Sequence, residues 1–250
     1  MYKINIGSCE FELKDWLNLD RPSEHYSTRQ HRIDYPHDLM SFRPIPIKDG
    51  QISIAYTSHT IEHISDRYVN HLFKEVYRIL ESGGTFRVTC PDIGKCYDAY
   101  MANDKKYIER WLLNPQGWDA FRSLGIGEEF LFIFASYLSP YGIIDNPNIK
   151  RYNEREITEI FERKNKVEAL THFTDECQVY AERMQPTHPG HHISWWDFDK
   201  LKDLLESVGF KDVISREYNQ SGVPELKDFD QCNVDNTKTL DYTLFLECAK

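Results

Sequence analysis

Three residues in the first third of the chain, His59, Glu62 and His63, combine one carboxylate with two imidazoles. A neutral histidine accepts a proton well near pH 7, and a neighbouring carboxylate can orient it. In the sequence these residues form the pattern His-x-x-Glu-His, which matches an inverted zinc-protease motif. That motif belongs on a long helix, whereas here it follows an apolar strand and precedes Ser65-Asp66, a predicted helix cap. We therefore predict that His59 or His63 is a general base, on one helical face, and we predict no metal ligands.

A second group of histidines, His188, His191 and His192, belongs to the short Pro-Gly loop of residues 187–192. This loop precedes the helix that is predicted to begin near Trp196-Asp197, and we expect it to move over the active site. His191 and His192 are therefore further candidates for the base. Three clustered histidines could instead bind a metal, and surface or capping roles are an equal alternative.

The elements that position the first group form one βαβ unit within residues 51–92. Apolar strands are predicted at residues 52–58 and 86–90, and Gly83-Gly84 is expected to stop the helix between them. Because a right-handed crossover makes the two strands parallel, their carboxyl ends open onto the same edge of a sheet, where ligands bind. The helix spans residues 65–80 and places its apolar side chains at helical spacing, namely Val69, Leu72, Phe73, Val76 and Leu80.

Three runs in this unit, residues 58–64, 73–80 and 83–92, resemble motifs of class I S-adenosylmethionine-dependent methyltransferases, in the type 11-like subgroup with a Glu-His pair after the fourth strand. Residues 3–8 and 16–20, which contain the first two predicted strands, agree with this resemblance, and so do residues 201–210. It implies an α/β, doubly wound, mostly parallel sheet of the seven-stranded, Rossmann-like methyltransferase type. The implied core is residues 1–95 and 195–250, and residues 96–194 are a helical insertion on the substrate side.

The first cofactor segment implied by the resemblance is Gly7-Ser8, a tight turn that lets backbone amides approach S-adenosylmethionine. The family's second glycine is replaced by Cys9, and only residues 8–15 separate the first two strands. A full helix does not fit in that gap. A purely structural turn is the alternative role for Gly7-Ser8.

Two acids are further cofactor candidates. Asp20 ends the second predicted strand, and Asp38 lies where the resemblance implies an acid. Asp20 would accept hydrogen bonds from a ribose diol, and its alternative is a turn-forming residue. Asp38 would lie near the adenine amino group with Leu39 packed on the ring, or it would cap a helix. Ser58 and His59, at the end of the 52–58 strand, complete the predicted cofactor site.

The rest of the chain is predicted to be mostly helical up to the final strands. Breakers and apolar spacing suggest helices at residues 95–113, 121–138, 154–170 and 174–184. Asp197 is expected to cap a last helix that stops at Gly209. Two strands, at residues 211–218 and 240–248, would close the sheet as an antiparallel pair, with a long acidic loop between them.

Composition limits the partners of this chain. Its 250 residues carry a formal charge of −10 and no long Lys/Arg run, so we predict no nucleic-acid partner. No apolar stretch approaches membrane-spanning length and the N-terminus lacks signal-peptide character, so we predict no membrane contact and a cytoplasmic location. The six cysteines form no Cys-x-x-Cys pair, which indicates free thiols. No oligomeric state follows from the sequence.

The function predicted from the resemblance is methyl transfer to a small-molecule or glycan-like acceptor, most simply at the oxygen of a polar or sugar-like compound. Two other classes stay open at this point. Cys9 and the missing first helix fit a non-catalytic binding protein that keeps the fold. The second histidine group fits a metal-dependent hydrolase.

Overall fold

The computed structural model describes residues 1–9, 11–24, 32–112, 124–140, 148–227, 229 and 240–250. Within them a seven-stranded sheet forms the centre of the fold. Its strands are β1 Tyr2–Ile6, β2 Leu17–Asp20, β3 Tyr35–Pro36, β4 Ile52–Ser58, β5 Leu80–Pro91, β6 Lys211–Arg216 and β7 Thr243–Ala249. The helices are α1 Asp66–Ile79, α2 Ile93–Met101, α3 Lys105–Leu112, α4 Ile126–Phe134, α5 Glu154–Arg163, α6 Lys166–Met184 and α7 Phe198–Val208.

The strand order is β3-β2-β1-β4-β5-β7-β6. The first five strands of this order run parallel, and β7 is antiparallel to both of its neighbours. The predicted mostly parallel sheet and its antiparallel closing pair are therefore confirmed. The two-residue strand β3 was not predicted, because Tyr35–Pro36 is too short for a periodic pattern and contains a proline.

The βαβ unit agrees with the sequence except at the end of its helix. α1 stops at Ile79, and Leu80 already has an extended backbone and begins β5. Gly83-Gly84 therefore lies inside the strand, where the pairing register with β4 shifts, and Gly83 has a φ of 79°. The prediction that these glycines stop the helix is wrong, because they form a strand irregularity.

The two faces of the sheet are covered by different kinds of structure. α1 and α7 pack on one face, with Phe73 and Leu201 in the apolar core between them and the strands. Leu13, Trp16 and Leu226 pack against Ile54 and Tyr56 in a small cluster on the other strand face. No helix lies between β1 and β2 in the described residues, as the short connection predicted.

The middle of the chain has an apolar core of its own, formed by buried residues from Ile93 to Trp195. The predicted 95–113 helix is two helices, with Asn103 at a φ of 53° between them. The predicted break after residue 170 is wrong, because α6 runs through it and starts at residue 166. The missed signal is Asn165, whose side chain accepts a hydrogen bond from the Glu168 N–H in a capping box.

The predicted 121–138 helix is shorter, since its described part consists of α4 and a 3₁₀ turn at Ser136–Leu138. Three segments, at residues 115–117, 140–142 and 146–147, were expected to break the helices. All of them except residue 140 fall outside the described residues. α7 agrees with its prediction, because Asp197 caps it by accepting a hydrogen bond of 2.9 Å from the Lys200 N–H and Gly209 ends it at a φ of 117°.

Two further sequence predictions concern the cysteines and the membrane. The cysteines that the structure describes, Cys9, Cys90, Cys96, Cys177 and Cys248, carry thiols rather than disulfides, as predicted. No described helix has the length and apolar character needed to cross a bilayer.

Candidate active site

Four parallel strands end at the same edge of the sheet, and the residues at those ends line one cleft. Gly7 follows β1, Asp20 ends β2, Asp38 follows β3 and His59 follows β4. The cleft is partly open to solvent. Its other lining residues are Cys9, Arg21, Leu39, Met40, Thr60, His63, Ile64, Gln185 and Pro189.

Contacts within the protein itself require glycine at position 7. Its φ is 70°, and a Cβ atom there would lie 2.3 Å from the Oγ1 of Thr60. The sequence suggested only that a side chain would obstruct the cofactor. In the structure, Thr60 of the loop after β4 already fills the space beside the glycine.

Asp20 holds the loop after β1 in place. Its carboxylate accepts hydrogen bonds of 2.6 Å from the N–H of Cys9 and 2.6 Å from the N–H of Arg21. Burial raises the pKa of Asp20 above its ordinary value, although these two hydrogen bonds and the charge of Arg21 oppose the rise. The backbone of Cys9, at a φ of 37°, is therefore fixed by the same carboxylate that lines the cleft.

Asp38 and Leu39 follow β3, the strand at one edge of the sheet, and both line the cleft. Asp38 accepts a hydrogen bond of 2.9 Å from the Met40 N–H, and its other carboxylate oxygen is 3.8 Å from a guanidinium nitrogen of Arg21. Residues 39–40 form a turn, so the alternative that Asp38 caps a helix is wrong.

Two predicted cofactor residues, Ser8 and Ser58, lie next to the cleft but are not among its lining residues. Ser8 is buried after the Gly7 turn, and Ser58 accepts a hydrogen bond of 2.8 Å from the Thr89 hydroxyl. They lie at the ends of β1 and β4, where the sequence placed them.

His59 and His63 do not share a helical face, because Ile61–His63 is a single 3₁₀ turn. They lie instead around the carboxylate of Glu62. The Nδ1 of His59 is 3.2 Å from the Glu62 Oε1, and the Nε2 of His63 is 4.0 Å from the same oxygen. His59 has a φ of 47°, a costly backbone conformation that is often found at functional sites.

Glu62 is 1% exposed and carries a negative charge. Burial opposes its ionisation, but the hydrogen bond with His59 and the nearby imidazoles of His63 and His192 outweigh burial and lower the Glu62 pKa to about 2. A charged carboxylate that accepts a hydrogen bond from the Nδ1–H of His59 would leave the Nε2 of that ring able to accept a proton.

His191 and His192 are within the same region but outside the lining of the cleft. The His191 ring packs on Tyr137, with ring centres 4.7 Å apart, and the His192 ring packs edge-on to His63 at 4.7 Å. Burial, with smaller effects from neighbouring imidazoles, lowers the pKa of His191 to about 3 and that of His192 to about 4. Both rings are therefore neutral near pH 7.

The loop of these histidines is held in place by Gln185, a residue that the sequence did not single out. Its amide nitrogen donates to the carbonyl oxygens of His63 at 2.8 Å and His191 at 2.9 Å, and its amide oxygen accepts from the Tyr137 hydroxyl at 2.8 Å. Ser136 also bonds to the His192 backbone. The loop that was expected to move is thus held by hydrogen bonds to Gln185 and Ser136. The sequence signal for Gln185 was only its position beyond the last helix residue of α6.

Residues 18–88 match the family model of the methyltransferase domain. The matched segment is less than a third of the chain. It runs from β2 into β5 and includes Asp20, Asp38, His59 and His63. The match agrees with the resemblance to class I S-adenosylmethionine-dependent methyltransferases, and the sheet order confirms the predicted fold class.

Solved structures that are similar to this chain share little sequence identity with it. One from Thermotoga maritima, described as a SAM-dependent methyltransferase and possible histamine N-methyltransferase, is 14% identical, with 100% of this chain and 82% of that chain covered and a TM-score of 0.42. A Mesorhizobium loti S-adenosylmethionine-dependent methyltransferase is 14% identical, with coverages of 100% and 90% and a TM-score of 0.43. No curated protein matches the sequence.

Proposed function

We propose that the protein transfers a methyl group from S-adenosylmethionine to an oxygen of a small polar or sugar-like acceptor. The observation that carries this proposal is the His59–Glu62 pair at the cleft, with Nδ1 and Oε1 3.2 Å apart. Methyl transfer from a sulfonium needs a well-placed nucleophile and, for a hydroxyl acceptor, a group that takes its proton. A histidine oriented by a carboxylate is suited to that task.

The cofactor would lie along the ends of β1 to β4, held by the predicted residues Gly7, Ser8, Asp20, Asp38, Leu39, Ser58 and His59. Asp20 would accept from the ribose hydroxyls, and it would also keep the Cys9 amide in place for the methionine part. Leu39 would pack on the adenine ring, with Asp38 beside the adenine amino group. The lining of the cleft by Asp20, Asp38 and Leu39 supports these roles.

His59 would act as the base. When its Nδ1–H donates to Glu62, the Nε2 holds the electron pair that accepts the proton of the acceptor hydroxyl, in place of its 3.3 Å contact with the Thr243 hydroxyl. When bound, S-adenosylmethionine would supply the methyl group to the acceptor oxygen and leave as neutral S-adenosylhomocysteine, while His59 would hold the acceptor's proton at Nε2. Glu62 then stabilises the imidazolium. His63 also lines the cleft, whereas His191 and His192 do not, so we favour His59 or His63 over the second pair.

The acceptor would enter from the side of the 96–194 insertion. Gln185 and Pro189 belong to that segment and line the cleft opposite the strand ends. An uncharged or polar acceptor fits a protein whose formal charge is −10, and nucleic acid does not. The thiols of the described cysteines support a cytoplasmic location.

Two measurements test this function. Isothermal titration calorimetry should show binding of both S-adenosylmethionine and S-adenosylhomocysteine. A transfer assay with a labelled methyl group should then label hydroxyl compounds in an acceptor panel of sugars, phenols and amines. Failure of both cofactor forms to bind would favour the non-catalytic alternative. Labelling of amines alone would contradict the oxygen acceptor.

A further inference from the structure

Glu62, His63 and His192 bring three metal-binding side chains together behind the cleft. One ligand atom from each, a carboxylate oxygen and two ring nitrogens, lies within 4.8 Å of the others. Glu62 and His63 come from the 3₁₀ turn after β4, and His192 comes from the segment between α6 and α7. Two imidazoles and one carboxylate are a donor set that zinc and other divalent first-row transition metals prefer.

Both histidines have the outer hydrogen bond that is characteristic of metal-binding histidines. The Nδ1 of His63 is 3.1 Å from the carbonyl oxygen of His191, and the Nδ1 of His192 is 2.6 Å from the carbonyl oxygen of Ile133. A carbonyl oxygen only accepts, so each Nδ1 carries the hydrogen and each neutral ring presents its electron pair at Nε2. Metal ligands are oriented in this way by their second hydrogen bond.

The carboxylate offers the matching oxygen. The Oε1 of Glu62 interacts with His59, whereas the Oε2 is buried and has no hydrogen-bond partner among the described residues. A buried carboxylate oxygen without a partner is costly. A cation bound to the carboxylate would offset the cost of burying it.

We propose that Glu62, His63 and His192 form a binding site for a divalent transition-metal ion. Metal bonds of about 2.0–2.2 Å in a tetrahedral site place ligand atoms roughly 3.4 Å apart, so the three side chains need to approach by about 1 Å or somewhat more. We predicted no metal ligands from the sequence, because His59, Glu62 and His63 were considered only as a local motif. In the fold His192 takes the place of His59, which keeps its role in proton transfer.

The position of His63 in the cleft lining gives the metal a role toward the acceptor. A ligand position that faces the cleft would bind the acceptor oxygen and lower its pKa, so that His59 removes the proton more readily. This role rests on the proposed methyl transfer, whereas metal binding itself does not.

The test is a calorimetric titration of the metal-free full chain with Zn²⁺, without cofactor or acceptor. We expect one ion per chain, and we expect His63→Ala and His192→Ala each to weaken binding by about 100-fold or more, as loss of one of three ligands should. Glu62→Gln should weaken it as well. The matched control is His188→Ala, which removes an imidazole from the same loop and should leave the affinity unchanged.

Circular dichroism of each variant identifies those that fold. If Glu62→Gln does not fold, the affinities of His63→Ala and His192→Ala for Zn²⁺ test the site. Absence of Zn²⁺ binding, or equal affinity in wild type, His63→Ala and His192→Ala, would overturn the site. The absorption spectrum of the Co²⁺-loaded protein provides a second readout, because thiolate ligands such as Cys9 would contradict a nitrogen and oxygen donor set. None of these readouts depends on methyl transfer, so failure of the site and failure of the proposed function are distinguishable.

Discussion

The side chain of Thr60 occupies the space that a Cβ atom on Gly7 would need, since such an atom would lie 2.3 Å from the Thr60 Oγ1. This contact packs the turn after β1 against the loop after β4. The φ of 70° at Gly7 adds a second requirement for glycine. The shape of the cleft therefore depends on two loops that are far apart in the chain.

Gly7→Ala should destabilise the protein by about 1–3 kcal/mol, because it combines an unfavourable φ with a steric overlap. Urea unfolding measures this loss. Thr60→Ala in the same chain should recover part of it, since the overlap disappears while the φ remains. If the losses from Gly7→Ala and Thr60→Ala simply add in the double variant, the contact does not couple the two loops.

Asp20→Ala should weaken S-adenosylmethionine binding by about 1–3 kcal/mol, because the charge-assisted hydrogen bonds to the ribose and the bond that holds the Cys9 amide are both lost. Calorimetry gives the affinity. Asp203→Ala is the control, since Asp203 lies on the exposed face of α7. An affinity that Asp20→Ala leaves unchanged would remove Asp20 from the cofactor site.

His59→Asn should lower the turnover number by about 10²- to 10⁴-fold, the usual effect of losing a general base. The affinity for S-adenosylmethionine should change little, because His59 acts on the acceptor side. Steady-state rates with the best acceptor and a cofactor titration provide the two measurements. His71→Asn on α1 is the control. Normal turnover in His59→Asn would mean that His63 or another group is the base.

Gln185→Ala should lower the free energy of unfolding by about 1–3 kcal/mol, because it leaves buried polar partners of the Gln185 amide without hydrogen bonds. Gln185→Glu should also destabilise, since a carboxylate cannot donate to the carbonyl oxygens of His63 and His191. Thermal and urea unfolding measure both effects. Glu182→Ala is the control, because its ion pair with Arg67 is exposed and surface pairs contribute little. Equal stability of all variants would mean that Gln185 does not hold the histidine loop.

Glu129 should make stability fall as pH rises through the neutral range. Burial raises the pKa of Glu129 from 4.5 to about 7, although Lys105 opposes the rise. The folded protein then keeps a proton that the unfolded chain has released, so the stabilisation is complete below about pH 4.5 and is lost as the pH approaches 7. The melting temperature of the wild type should therefore drop relative to Glu129→Gln between about pH 5 and pH 8, and a constant difference would contradict the raised pKa.

The local elements of the protein follow from neighbouring residues in the sequence. The apolar spacing of α1, the Asp197 cap and Gly209 stop of α7, and the short β1–β2 connection depend on residues within one or two turns of each other. The ends of β1, β2 and β4 were placed for the same reason. The helix break at Asn165 was also readable, from its capping box, but the apolar pattern favoured a later position.

The tertiary structure alone decided which distant residues meet. His192 reaches Glu62, Gln185 reaches the carbonyl oxygen of His63, and Thr60 fills the space beside Gly7. No periodicity or spacing encodes these contacts, because they depend on how the insertion packs against the sheet and on the angle at which each loop leaves its strand. A residue's chemical type can be read from the sequence, whereas its partners at a site are set by the packing of the whole chain.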